Sequence, residues 1–150
     1  MTREGCCGIL TAMCWVAMAG AAVAGPYDVT FQVPLNLTRI PTDITSVRVF
    51  CLIRSDALPV DASGTDRSAG NYSGQLAVTG GQVVTTVTVV VPITTLDTSS
   101  GKTSATYSCF LEAALGSDVP KRFTVNLSTA TPGSAYYLSP PPQAQGTFTW

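Results

Sequence analysis

The chain has no histidine, and charged residues fill only 11% of its 150 positions. The first absence removes the commonest general base, the Ser-His and Cys-His nucleophile pairs, and most zinc sites. The second comes with eight basic against nine acidic residues. No basic excess exists to neutralise phosphates, which argues against nucleic acid as a partner. Helical periodicity is missing beyond the first two dozen residues, as are internal repeats, a phosphate loop and a second apolar run long enough to span a membrane.

What the N-terminus does have is a leader. Arg3 provides a positive start, residues 9–23 form an apolar run rich in Ala and Met, and Ala22-Val23-Ala24 offers small residues to a signal peptidase. Cleavage is expected before Gly25, giving a signal peptide over 1–24 and a single domain over 25–150. An uncleaved anchor would need about 20 apolar residues and a charged stop. A lipid anchor at Cys14 would follow the bulky Met13. Removing the leader takes away Cys6, Cys7 and Cys14 and leaves the net charge at −1. The two remaining thiols, Cys51 and Cys109, both sit in strand-like runs and face an oxidising compartment, so one disulfide is expected between them.

The rest reads as β structure. Residues 46–54 carry apolar side chains on both faces, the mark of a central strand covered on at least one side. Tyr27–Leu37 alternates over its whole length, with Tyr27, Val29, Phe31, Val33, Leu35 and Leu37 on one face. Pro34 makes it an edge strand or a bulged one. Residues 55–71 read as an exposed loop with room for a short strand near 58–60, and 72–78 alternate weakly. Gly80-Gly81 marks a hairpin turn. Residues 82–91 form a β-branched strand with Val83, Val87, Val89 and Val91 on one face. Strands are also expected over 106–112, over 122–127 with Phe123, Val125 and Leu127 inward, and over 147–150. A short run lies at 135–138, and the prolines of 139–146 hold the chain extended and away from a sheet centre.

Tyr107-Ser108-Cys109 resembles the Tyr-x-Cys of immunoglobulin-type sandwiches. The resemblance implies an Ig-like antiparallel β-sandwich of about seven strands. In it Cys51 and Cys109 join the two sheets, and the Tyr107 hydroxyl ties a corner to the backbone. The family's core tryptophan has no counterpart between the two cysteines.

Few constellations carry chemistry. Ser99-x-x-Lys102 has serine–lysine spacing but lies in a turn, where the helical geometry of that pair is not expected. Asp56, Asp61 and Asp66 share one loop and offer oxygen ligands for calcium, at a spacing that matches no calcium loop. Glu112 stands alone on a strand, without the second carboxylate that glycoside hydrolysis requires. Asn36, Asn71 and Asn126 begin Asn-X-Ser/Thr sequons. No catalytic residue, cofactor or metal site is expected.

These features describe a secreted or periplasmic, cell-surface, non-catalytic β-sandwich that acts as a binding or structural protein. Its expected partner is another protein or a cell-surface component. The alternative is a pilin-like assembly subunit, in which the alternating apolar residues of Tyr27–Leu37 complete a neighbour's sheet by strand exchange. A small outer-membrane barrel fits the terminal Trp150 but not the disulfide or the polyproline run.

Overall fold

The computed structural model describes residues 27–60, 66–96, 101–116, 122–138 and 142–149. The expected signal peptide, Asp61, Ser99 and Trp150 lie outside the described residues. The described residues form eight strands: β1 (Tyr27–Leu37), β2 (Ile44–Arg54), β3 (Ser68–Tyr72), β4 (Leu76–Ala77), β5 (Val83–Ile93), β6 (Ser104–Leu115), β7 (Phe123–Asn126) and β8 (Gln143–Thr149). All pairings are antiparallel, and the described residues contain no helix.

The strands divide into two sheets. β1 pairs with β5 alone, in unbroken register from Tyr27↔Ile93 to Leu37↔Val83. The other six are built on the central pair β2–β6. β3 and β4 take successive halves of the outer edge of β2, and β7 and β8 do the same for β6. One apolar cluster draws on both sheets: Phe31, Val33, Leu35, Val87, Val89 and Val91 from the smaller, and Val47, Val49, Ile53, Leu111 and Ala113 from the larger. The alternation of β1 and β5 therefore has the core face that period-two patterning predicts.

The disulfide joins Cys51 to Cys109, but within one sheet. The two residues are direct partners in the β2–β6 register, with Cα atoms 4.1 Å apart. That separation matches the close, non-hydrogen-bonded kind of antiparallel pair. The sheet-to-sheet bridge implied by the Ig resemblance is thus corrected to a cross-strand staple, because β2 and β6 turn out to be neighbours. Tyr107 is corrected in the same way. It lies in the body of β6, opposite Gly146, with its ring 5.2 Å from that of Phe31 and 6.4 Å from that of Phe148. A Cβ at Gly146 would come within 2.8 Å of this ring, so glycine opens the space that the tyrosine fills.

Both edges of the two-stranded sheet are blunted. Asp28↔Pro92, Thr30↔Val90 and Pro34↔Thr86 share one register parity. At that parity the Val90 carbonyl points out of the sheet, since it accepts a hydrogen bond from Asn71 Nδ2 on β3 at 2.7 Å. Pro34 and Pro92 therefore sit where the missing N–H faces outward and costs no ladder bond. Pro34 makes an edge without a bulge, one of the two outcomes its position allowed.

Other boundaries shift for local reasons. Most of β3 falls in the stretch read as loop, because Ser68, Gly70 and Asn71 offer no apolar alternation to mark a strand. No strand forms at 58–60; Leu58 is buried in a turn closed by its N–H to the Ser55 carbonyl at 3.0 Å. The Gly80-Gly81 turn is present, with φ of +60° and +69° inside a Thr79↔Gln82 bridge. β8 begins at Gln143, four residues earlier than expected, and remains an edge strand. Residues 135–138 form a turn instead of a strand, fastened by the Tyr136 hydroxyl donating to Asp43 Oδ2 at 2.8 Å.

Phe123 points away from the core, contrary to the even alternation of 122–127. The register slips between Ala113↔Val125 and Ala114↔Phe123, so β7 has an extra residue at Thr124 and the chain before it flips face.

Two stability measurements check this picture. Replacing both cysteines by alanine opens a 58-residue loop and is expected to lower the urea unfolding free energy by about 2–4 kcal/mol. Leu111→Ala, at a side chain with no exposed surface, is expected to cost about 2–5 kcal/mol by the same assay.

Candidate functional site

The outward face of the six-stranded sheet is unusually aromatic for a solvated surface. Arg48, Phe50 and Leu52 of β2 and Phe110 and Glu112 of β6 all lie on it, half-buried, because they alternate with the core residues of the same strands. Tyr72 of β3, opposite Phe50, is 43% exposed, and the two rings stand 4.5 Å apart. The Arg48 guanidinium lies between two aromatic faces, 3.7 Å from the Tyr72 ring centroid and 4.2 Å from that of Phe123. Two of its nitrogens, Nε and Nη2, donate to Glu112 Oε2 at 2.9 and 2.7 Å. Cation–π attraction and a charge-assisted pair thus hold one side chain from three directions. The flipped Phe123 is what completes the stack.

A second feature opens where β2, β6 and β8 end. It is a cleft of about 570 Å³ lined by Arg54, Arg67, Lys102, Asp56, Asp66 and a set of hydroxyls from Ser55, Ser104, Thr106 and Thr147. Arg54 Nε is 3.5 Å from Asp66 Oδ2, and Lys102 Nζ is 3.8 Å from Asp56 Oδ2. Arg67 Nη1 donates to the carbonyls of Asp56 and Leu58 at 3.2 and 2.8 Å, tying the loop after β2 into the wall.

Asp56 and Asp66 face cations instead of forming an oxygen cage, and among the described residues no group of three His, Cys, Asp or Glu is placed to hold a metal ion. Glu112 is the partner of Arg48. Lys102 belongs to the cleft wall. Of the sequon asparagines, Asn36 is exposed on β1, while Asn71 caps Val90. Asn126 accepts the N–H of Ser128 and of Thr129, at 2.9 and 3.2 Å. Ser128 is itself buried, its hydroxyl donating to the Pro142 carbonyl and accepting from Leu111 N–H. Arg48, Phe50, Tyr72, Arg54 and Arg67 carried no motif. A signal was present only in the apolar outward positions of residues 46–54, where a polar face would be ordinary.

A double-mutant cycle with Arg48→Met and Glu112→Gln is expected to give a coupling of about 1 kcal/mol, the upper end for pairs open to solvent. Their side chains are 26% and 19% exposed. Thermal unfolding of the four proteins measures it. No family model, curated protein or solved structure matches the chain.

Proposed function

We propose that the protein is an exported, non-catalytic β-sandwich of immunoglobulin-like build, whose outward aromatic–arginine face binds a partner protein or cell-surface component. The observation that carries this reading is the Phe50–Tyr72–Arg48–Phe123 stack. Aromatic residues and arginine are the side chains that dominate the energetics of protein interfaces. Arg48 is already held by Glu112, so little side-chain freedom remains to be lost when a partner docks. The layered build is supported by the single core shared between the two sheets. Export is supported by the N-terminal leader pattern and by the disulfide, which persists in oxidising compartments. Among the described residues no helix is long and apolar enough to cross a membrane.

A second reading, assembly by strand exchange through Tyr27–Leu37, is favoured by one observation. Among the described residues β1, eleven residues long, is paired along one edge only. Pro34 removes a donor from the other edge, which weakens the case without removing it.

Labelled protein incubated with cells of its source organism tests the first reading. Wild type is expected to be retained and a Phe50→Ser, Tyr72→Ser variant to be lost, with unchanged circular dichroism. Equal retention of the two proteins overturns it. Gel filtration from micromolar to millimolar concentration tests the second, which requires growing oligomers that disappear when a proline replaces Gln32.

A further inference from the structure

The cleft at the end of β2 has a composition that selects a ligand class. Arg54 meets Asp66 through Nε and Arg67 meets two backbone carbonyls through Nη1, so among the described residues these contacts leave further N–H groups on both exposed guanidiniums. Ser55 N–H donates to the Arg67 carbonyl at 3.2 Å, extending the β2–β3 register by one residue, so Arg54 and Arg67 leave the ladder on opposite faces and come together as walls of the cleft at its end. A planar fork of this kind matches a carboxylate better than any neutral group. Asp56 and Asp66 lie in the same cleft. They repel a second negative charge and accept hydrogen bonds from hydroxyls, which favours a monoanion carrying OH groups over a phosphate dianion. Ser104, Thr106 and Thr147 add donors and acceptors, and the lining contains no aromatic ring on which a base could stack. The volume, about 570 Å³, falls within the range of small-molecule sites.

We propose that this cleft binds a polyhydroxylated monocarboxylate of the uronic-acid class, its carboxylate held on the open edges of Arg54 and Arg67 and its hydroxyls by the Asp and Ser/Thr side chains. The site is separate from the aromatic–arginine face and does not depend on that face binding anything.

Amide NMR titration of the full, oxidised chain tests it, with glucuronate, glucose, acetate and glucose 6-phosphate as probes. Glucuronate is expected to shift the amides of Arg54, Ser104 and Thr106 saturably, acetate to shift the same amides more weakly, and glucose to leave them in place. Arg54→Gln removes charge-assisted hydrogen bonds and is expected to weaken glucuronate binding about 10-fold. Lys102→Gln is expected to weaken it less, and Arg39→Gln, which removes an equal charge outside the cleft, not at all. Four results overturn the proposal: no saturable shift with glucuronate, equal shifts with glucose, tighter binding of glucose 6-phosphate, or unchanged affinity in Arg54→Gln. Spectra of the variants that keep their dispersion exclude unfolding as the cause of any loss.

Discussion

The β2–β6 ladder is the constraint on which the other parts of the larger sheet depend. It pairs Ser46–Arg54 with Thr106–Ala114 residue by residue, and the disulfide joins its two strands at Cys51 and Cys109. A slip of β2 by one residue against β6 would turn Val49 to solvent and Arg48 inward while Leu111 and Glu112 kept their faces. The covalent link makes that slip impossible once formed. Its entropic contribution comes from a 58-residue loop closed in the unfolded chain. Its structural contribution is register.

Everything on the outward face inherits that register. Arg48 meets Glu112 because the two are ladder partners, although 64 residues separate them in the chain. Tyr72 and Phe123 reach the same guanidinium from opposite edges, one through the β2–β3 pairing and the other through the bulge within β7. The cleft is made where the same ladder ends: Arg54 is the last residue of β2, and Ser104 to Thr106 open β6. One pair of strands thus sets both candidate surfaces, at mid-length and at a terminus.

The smaller sheet is held by different means. Two strands alone are marginal in water, so β1 and β5 depend on the core they share with the larger sheet. Their edges are managed with Pro34, Pro92 and the Asn71 amide, which leaves the β-branched run of β5 fewer open sites for a stray strand. Val84, 67% exposed beside Asn36, is the more exposed of the two large apolar side chains this sheet shows to water.

Local patterning alone determined β1 to the residue, the buried face of β5, the Gly80-Gly81 turn and the pair of cysteines available for a disulfide, since period two and glycine's freedom at positive φ act within a few residues. β3 escaped because Ser68, Gly70 and Asn71 carry no apolar alternation that would mark a strand. The face of Phe123 escaped because a bulge depends on how two strands fit, and nothing in residues 122–127 records it. Only the tertiary structure decided that β2 and β6 are neighbours, and with that the staple's position within one sheet, the Arg48–Glu112 pair and the two arginines of the cleft. Adjacency of strands far apart in sequence is a choice among whole topologies, made by the free energy of the shared core and not by any short segment of chain.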